Sequence, residues 1–330
     1  MAVTPHARGL LDLADEVEVA GAFSPTEARR AAFGARFPFP LTGDLDALLA
    51  DPALDAVMIL TPPATHGALV ARAAAAGKHI LLEKPLEVST ARAEALVAAA
   101  ERAGVTLAVV LQHRFRPAAE RLRALLAEAA LGEVVGCSTT IRLWRPQAYY
   151  DEPGRGTRAR DGGGVLLTQG IHTLDLMLSL AGRVAEVAGY ATTTPVHRME
   201  TEDLVCAAVR FQSGALGVID ATTAAFPGSP ERIELAGTLG AAALVGGDLN
   251  VAWHDGRAET LAADTSAGGT GADPMAFSHE GHRAVLADFL RAVRTGTPPR
   301  VTGREALKVH RLIDALLEAG RTGRPVAVPA

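Results

Sequence analysis

Residues 5–115 alternate short apolar runs with alanine-rich stretches of helical periodicity, and this alternation restricts the possible folds more than any other feature. The apolar runs predict strands at 17–24, 55–63, 79–85 and 106–115. Strands that alternate with helices pair in parallel, because a helical crossover brings each strand back in the same direction. This part of the chain therefore predicts a doubly wound α/β fold with a parallel sheet.

The pattern changes after Pro117, where longer runs alternate apolar and polar residues. These runs occupy 134–144, 184–194, 203–212, 215–223 and 231–237. They suit a large, mostly antiparallel open sheet with one covered face. Two closing helices are predicted at 281–293 and 304–320. We expect the chain to divide into residues 1–116 and 117–330.

Composition limits the classes of partner. The 330 residues are 48% hydrophobic and carry a formal net charge of -5 without a lysine- or arginine-rich run, which argues against nucleic acid and anionic membranes and leaves small molecules. The ten histidines show no metal-binding spacing, so we expect no metal. Only two cysteines occur, and neither a signal peptide nor a membrane-length apolar run is evident, so we expect a cytoplasmic protein.

Three successive predicted strands end on polar or turn-forming residues. These ends are 61–63 followed by His66, then 83–85, then 112–114. Any one of them alone is better explained as a turn at the end of a strand. In an open parallel sheet, however, ligands bind outside the carboxyl ends of the strands, where the strand order reverses. Three such ends in succession therefore predict one binding rim.

Three glycines at 162–164 precede a predicted helix that is apolar on most sides. Thr168, His172, Asp175 and Ser179 share one narrow stripe of that helix. A solvent-facing stripe would normally carry lysine, glutamate or arginine, so this stripe faces either a cleft or an internal hydrogen-bond network. The alternatives are a histidine satisfied within the core and glycines that only form a tight turn.

Together these segments resemble the Gfo/Idh/MocA family of NAD(P)-dependent sugar and cyclitol oxidoreductases. The resemblance is carried in order by TPPATH, GKHILLEKPLE, QHRFRP, LGEVVG, GGGVLLTQGIHTLDL and GRPVAVP, over nearly the whole chain. It implies a Rossmann domain and a C-terminal α/β domain whose open sheet supports substrate and subunit contacts, in a homodimer or homotetramer. It also implies hydride transfer between a nicotinamide cofactor and a secondary hydroxyl or ketone of a sugar, sugar acid or nucleotide sugar.

The resemblance places Lys84 and His172 beside the reacting carbinol. A histidine that changes protonation near neutral pH suits removal of the hydroxyl proton, and a lysine ammonium stabilises the developing alkoxide. Many members carry an aspartate four residues before the histidine, where this chain has Thr168, which we include among the catalytic candidates. A cis bond often precedes the proline that is Pro85 here. The expected cofactor contacts are Ser24, Arg29, Thr61, Pro62, His66, Glu83, Lys84 and Gln112.

The cofactor preference depends on the end of the strand at 17–24. Ser24 stands near the position where NAD-preferring folds place a carboxylate on the ribose hydroxyls, and Arg29 and Arg30 follow. Without a carboxylate to repel it, a 2′-phosphate is tolerated, so we expect NAD(P) with a slight preference for NADP. The alternative is that Ser24 only begins a turn and that both arginines are solvated.

Residues 144–161 combine aromatic and arginine side chains just before the three glycines. Aromatic faces cover the apolar side of a sugar ring, while arginine pairs with a carboxylate or phosphate, so we expect an anionic or nucleotide-linked sugar. The expected substrate contacts are Lys84, Tyr150, Arg155, Arg158, Thr168 and His172. A surface loop with solvated charges is the alternative.

The first residues, MAVTPHARGLLDL, resemble the tail of the family's GxGxxG turn and the helix after it, without the strand before it. In the strand order 3-2-1-4-5-6 that strand is central, so its loss would leave two interior edges unpaired and remove the pyrophosphate cradle. We expect the strands at 17–24 and 55–63 either to pair directly or to leave a gap, and Met1 to be an internal methionine with coding sequence upstream. A non-catalytic regulatory or structural homologue that binds dinucleotide or sugar is the alternative function.

Overall fold

The computed structural model describes residues 3–263 and 278–329. Its helices are α1 (Val3–Asp12), α2 (Glu27–Gly34), α3 (Leu45–Ala50), α4 (His66–Ala75), α5 (Thr90–Arg102), α6 (Pro117–Ala127), α7 (Gln147–Tyr150), α8 (Val165–Thr168), α9 (Ile171–Ala181), α10 (Glu280–Thr295) and α11 (Gly303–Thr322). Its strands are β1 (Ala22–Phe23), β2 (Leu41–Thr42), β3 (Ala56–Ile59), β4 (His79–Leu82), β5 (Leu107–Val109), β6 (Val134–Arg142), β7 (Val184–Thr192), β8 (Leu204–Phe211), β9 (Leu216–Thr222), β10 (Arg232–Gly237), β11 (Gly240–Val245), β12 (Asp248–Trp253), β13 (Ala258–Leu261) and β14 (Val326–Ala327). Two short 3-10 helices cover Pro63–Thr65 and Gln112–Phe115.

The N-terminal half contains two separate parallel sheets. Strands β3, β4 and β5 form one of them, and β1 and β2 form a two-stranded sheet of their own. Within residues 3–263 and 278–329 no strand is hydrogen-bonded between β1 and β3, and α1 occupies the region before β1 as a helix. Of the two predicted outcomes, the gap is therefore confirmed.

The strands of this half are shorter than the apolar runs that predicted them. The run at 17–24 gives only Ala22–Phe23, and the run at 106–115 gives Leu107–Val109 followed by the 3-10 helix at Gln112–Phe115. Apolar residues indicate burial, whereas a strand also needs a neighbour with which to exchange backbone hydrogen bonds. The predicted bounds were wrong for that reason, and 112–115 form a turn at the rim instead.

The C-terminal sheet has nine strands in the order β13-β12-β11-β10-β6-β9-β8-β7-β14. Its neighbours are antiparallel except for β6 and β9, which lie between the two hairpin series. Helices α9 and α11 pack on one face, where side chains such as Ile141 and Val205 are buried. A Rossmann-type set of parallel strands joined to this mostly antiparallel sheet confirms the predicted fold class.

The closing helices connect the two halves. Helix α10 packs against α1, while α11 contacts both α5 and β7. The side chain of Thr302 caps α11 by accepting a hydrogen bond from the backbone N–H of Glu305. The division at residues 116 and 117 stays a prediction, because these helices contact elements on both sides of it. No helix in the described part of the chain combines the length and apolarity that a membrane crossing requires.

Candidate active site

The structure brings the residues after β4 against the short helix α8. The Nζ atom of Lys84 donates a hydrogen bond to the backbone carbonyl of Thr168 at 2.8 Å, across 84 residues of sequence. The Lys84–Pro85 bond is cis, as the family resemblance implied. Burial lowers the pKa of Lys84; Glu83 opposes this shift and the positive charge of Arg155 adds to it.

His172 lies in the first turn of α9 and is only partly exposed. Its ring stacks on that of His113 with 4.9 Å between centroids and 27° between planes. Burial, followed by the positive charge of Lys84 and the presence of His113, lowers the pKa of His172 well below its usual value. The imidazole is therefore neutral at physiological pH and can accept a proton.

The three glycines are required by close packing. A Cβ atom on Gly162 would lie 2.6 Å from the Cα atom of Val88, just beyond the EKP motif, and Gly162 has φ +79°. A Cβ atom on Gly164 would lie 1.8 Å from the backbone oxygen of Glu202. The Glu202 carboxylate accepts hydrogen bonds from the backbone N–H groups of Gly164 and Leu166. The glycines thus let the loop fit between two segments and place α8 beside Lys84.

The predicted stripe is divided between two helices, because Gln169 and Gly170 form a turn that interrupts the helical hydrogen bonds between α8 and α9. The Thr168 hydroxyl donates to the carbonyl of Gly164 at 2.6 Å, and the Ser179 hydroxyl donates to the carbonyl of Leu176 at 2.7 Å. Asp175 is fully buried and accepts two hydrogen bonds from Arg114, at 2.6 and 2.7 Å. The stripe is therefore mainly an internal hydrogen-bond network.

Glu83 belongs to a buried cluster with His6 and His282. Its Oε1 lies 2.9 Å from His6 Nε2, and its Oε2 accepts a hydrogen bond from the backbone N–H of Lys84 at 2.9 Å. Burial would raise the pKa of Glu83, but His6, Lys84 and His282 together lower it below its usual value. The three residues offer possible metal ligands within 4.8 Å of one another. Because they lie far apart in sequence, local spacing did not identify them, and the absence of a metal stays a prediction.

His66 is buried and braces the ends of two strands. Its Nε2 lies 2.9 Å from the carbonyl of Thr61, and its Nδ1 lies 3.1 Å from the carbonyls of Pro85 and Leu86. The ring nitrogens are thus occupied by backbone, which gives His66 a supporting place behind the rim. Thr61 and Pro62 are exposed at the rim itself.

The end of β1 carries the other candidate cofactor residues. The guanidinium of Arg30, and not that of Arg29, donates a hydrogen bond to the backbone carbonyl of Ser24 at this strand end. Arg29 is exposed on α2. A ligand that lies against Ser24 would therefore meet the guanidinium of Arg30.

Gln112 begins the 3-10 helix that follows the carboxyl end of β5. This is one of the strand ends at which the sequence predicts a binding rim. The side-chain Oε1 of Gln112 is buried and has no hydrogen-bond partner among the described residues. A buried acceptor without a partner is costly, so it fits a site that a polar ligand completes. This observation, together with the exposed strand ends, is consistent with a nicotinamide dinucleotide along the rim.

The arginine-rich segment reaches the site through only part of its length. Arg155 is mostly buried, lies 4.7 Å from the centre of the Tyr149 ring and contributes to the lowered pKa of Lys84. Arg158 is 75% exposed and lies 3.6 Å from Glu200. The two arginines that the sequence paired therefore differ in position, and Arg155 is the one near Lys84.

Tyr150 belongs to the same segment and is buried. Its hydroxyl hydrogen-bonds to that of Thr223 at 2.8 Å, and burial raises its pKa to about 12. Sequence reasoning did not select its neighbour Tyr149, whose hydroxyl accepts a hydrogen bond from Gln169 at 3.4 Å. Gln169 in turn contacts the Thr168 hydroxyl. Gln169 stands next to Thr168 in the sequence, and this adjacency was a signal that could have identified Gln169 as a site residue.

The parallel strands and the polar rim at their carboxyl ends are typical of a dinucleotide-binding oxidoreductase. Residues 1–111 match the family model described as "Oxidoreductase family, NAD-binding Rossmann fold", and residues 119–243 match the "GFO/IDH/MocA C-terminal domain". The chain belongs to the Gfo/Idh/MocA family. It is an NAD(P)-dependent oxidoreductase of the sugar dehydrogenase type, which acts on CH–OH groups.

Named relatives act on several sugars and polyols. D-xylose 1-dehydrogenase (NADP(+)) 2 of Haloferax volcanii is 32% identical and covers 95% of this chain and 93% of the relative. Myo-inositol 2-dehydrogenase of Thermotoga maritima is 27% identical, with coverage of 79% and 76%. Among solved structures, the WlbA dehydrogenase from Bordetella pertussis, in complex with NADH and UDP-GlcNAcA, is 26% identical with a TM-score of 0.82 and coverage of 98% and 95%.

Proposed function

We propose that this enzyme transfers hydride between a nicotinamide cofactor and a secondary hydroxyl or ketone of an anionic or nucleotide-linked sugar. The observation that carries the proposal is the position of Arg155, which is mostly buried, packs against the Tyr149 ring at 4.7 Å, pairs with Glu152 at 3.2 Å and contributes to the lowered pKa of Lys84. A guanidinium whose charge acts on Lys84 suits a carboxylate or phosphate on the substrate. The WlbA relative, whose structure contains UDP-GlcNAcA, supports the same class.

The roles of the side chains follow from their protonation. In the oxidative direction, the substrate hydroxyl gives its proton to His172, whose Nδ1 is buried and whose other nitrogen, Nε2, is therefore the one we assign to this transfer. The Lys84 ammonium stabilises the developing alkoxide while its Nζ stays anchored on the Thr168 carbonyl. Thr168 contributes this backbone acceptor instead of a carboxylate. A bound nicotinamide ring supplies the hydride acceptor.

The cofactor would lie along Ser24, Thr61, Pro62 and Gln112, with Glu83 and His66 supporting the rim from behind. We propose a slight preference for NADP, because Ser24 offers no carboxylate and Arg30 lies against its carbonyl. The relatives support both forms, since one is named for NADP(+) and another was solved with NADH. Comparison of kcat/KM with NAD and with NADP would check the preference, and a clear advantage for NAD would overturn it.

We also propose that two or four copies assemble through the outer face of the nine-stranded sheet. That face exposes Tyr190, Leu216 and Val218, with exposed fractions of 77%, 62% and 50%. Exposed aliphatic and aromatic side chains on one face of a sheet are typical of subunit contacts. Light scattering would measure the assembly, and a monomer at micromolar concentration would contradict it. A reducing cytoplasm is our proposed location, because Cys137 and Cys206 are free thiols.

A panel assay tests the reaction itself. Nucleotide sugars, sugar acids, neutral sugars and inositols would be assayed with NAD and NADP by absorbance of the reduced nicotinamide. We expect turnover to be highest with a sugar that carries a carboxylate or phosphate. Equal or better turnover of neutral sugars would contradict the proposed substrate class, and absence of turnover across the panel would contradict the reaction.

The substrate class also predicts a difference between the two arginines. Arg155→Ala should raise KM for an anionic sugar roughly 10-fold or more, since a hydrogen bond to a charged group contributes about 1.5–3 kcal/mol. KM for a neutral sugar should change little. Arg158→Ala is the matched control, because its side chain is 75% exposed, pairs with Glu200 and is not among the groups that shift the pKa of Lys84. Steady-state kinetics would measure these values, and equal effects of Arg155→Ala on both substrates would remove the basis for the assignment.

A further inference from the structure

His172 lacks the hydrogen-bonded partner that usually orients a catalytic base. Its Nδ1 atom is buried and has no hydrogen-bond partner among the described residues. The hydroxyl of Thr168 is already used by Gly164 and Gln169. A general base is ordinarily held in position by a third group that bonds to its far nitrogen. Another contact must therefore fix the plane of this ring.

The ring of His113 supplies a flat contact. It lies in the 3-10 helix after β5 and stacks on the ring of His172, 4.9 Å between centroids and 27° from parallel. It is the aromatic neighbour of His172 within residues 3–263 and 278–329. A stacked ring restricts rotation about the side-chain bonds of its partner, because tilting either ring brings their atoms into contact.

His113 is itself anchored by a chain of hydrogen bonds. Arg116 donates to His113 Nε2 at 2.7 Å and also donates to Glu231 Oε1 at 2.6 Å and to the carbonyl of Gly246 at 2.9 Å. Because arginine can only donate, the His113 proton is assigned to Nδ1, which is buried, lies 3.8 Å from Glu231 Oε1 and has no hydrogen-bond partner among the described residues. The loops that flank β10 and β11 therefore hold this ring in one orientation.

We propose that His113 is a positioning residue that holds the His172 ring in the orientation needed for proton transfer, an inference that rests on the proposed reaction. It provides the orientation that a carboxylate partner would otherwise give. Burial, followed by the charges of Arg116 and Lys84, lowers the pKa of His113 well below its usual value, so its ring is neutral. A neutral ring leaves His172 free to gain a proton during the reaction.

Several charged or titratable groups act on His172 in this arrangement. Lys84 acts from the end of β4, His113 and Arg116 from the turn before α6, and His282 from α10. Loss of the His113 ring would admit water, which weakens desolvation and raises the pKa of His172 toward its usual value. The pH at which kcat/KM falls on the acidic side therefore shows whether the stack is intact, as kcat itself also does.

Two variants separate the effect of losing the flat ring from the effect of losing the hydrogen bond between His113 and Arg116. His113→Ala removes the face and should lower kcat roughly 10- to 100-fold, since misplacement of about 1 Å can cost 10²-fold, and it should move the acidic limb of kcat/KM upward in pH. His113→Phe keeps a flat ring and the burial of His172, so it should retain kcat within about 3-fold, with the limb moved much less than in His113→Ala. If His113→Ala folds poorly, His113→Asn keeps an acceptor for Arg116, lacks the ring and should show the same losses.

Wild-type rates and an unmoved limb in His113→Ala and His113→Asn would overturn the proposal, as would a His113→Phe variant as slow as His113→Ala. A readout without turnover separates this inference from the reaction. In ¹⁵N-histidine NMR titrations, the midpoint of His172 should rise clearly in His113→Ala and much less in His113→Phe. An inactive wild type would contradict the proposed reaction, while the NMR titration would still decide whether His113 positions His172.

Discussion

His172→Ala and Lys84→Ala should each lower kcat by roughly 10²-fold or more, the usual scale for a positioned acid–base or charge-stabilising group. The two side chains act on the same carbinol, one on its proton and the other on its oxygen. Their effects should therefore overlap, so the double variant should lose less than the product of the single losses. Steady-state kinetics on the best substrate of the panel would measure all three variants.

Cofactor affinity distinguishes this outcome from general damage to the fold. His172→Ala should bind NAD or NADP as the wild type does, because His172 is assigned to the substrate side of the site; quenching of protein fluorescence would measure this. His254→Ala is the matched control, since His254 is exposed in the turn between β12 and β13 of the nine-stranded sheet. Activity within a few-fold of wild type in both single variants would refute the catalytic assignment.

The pH dependence of kcat/KM should also identify His172 as the base. The pKa of His172 is lowered well below its usual value, chiefly by burial, so the base stays neutral as the pH falls through the range in which a solvated histidine gains its proton. The kcat/KM for oxidation should therefore remain near its maximum through pH 6.5 and decrease only at lower pH. A decrease centred on the ordinary histidine value would show that His172 is solvated or is not the base.

The sequence could indicate the main parts of the candidate site because their signals are local. Strand ends, a glycine run and a histidine with the spacing of one helix face are patterns within a few residues of one another. The family resemblance then grouped Lys84 with Thr168 and His172, and the structure shows a hydrogen bond from Lys84 to the Thr168 carbonyl. The structure explains the glycines by close approach to Val88 and Glu202, which no local pattern contains.

Other features were beyond the sequence because they join distant segments. The pairing of His6 with Glu83 spans 77 residues, and that of Arg116 with Glu231 spans 115. Burial of Tyr150 depends in the same way on Thr223, 73 residues away. Side chains that looked equivalent in sequence, such as the arginines of the 144–161 segment, take different environments once the sheet and loops are packed.

The buried pair of Arg114 and Asp175 should have the largest effect on stability. Both side chains are almost completely buried, and the guanidinium donates two hydrogen bonds to the carboxylate. Asp175→Ala should lower the free energy of unfolding by about 3–5 kcal/mol, because it leaves the Arg114 charge buried without its main partner. Urea denaturation followed by circular dichroism would measure the loss. A change below about 1 kcal/mol would contradict the assignment.

A double replacement tests whether the loss comes from the isolated charge. Arg114→Met with Asp175→Leu removes both charges and fills similar volume, so it should be more stable than Asp175→Ala alone. The exposed pair of Arg304 and Glu101 is the surface control, and Arg304→Ala should leave the denaturation midpoint nearly unchanged. Arg114 belongs to the same 3-10 helix as His113, and Asp175 lies one turn after His172. The ion pair therefore holds together the two segments whose rings stack, so even a folded Asp175→Ala enzyme should show a lower kcat.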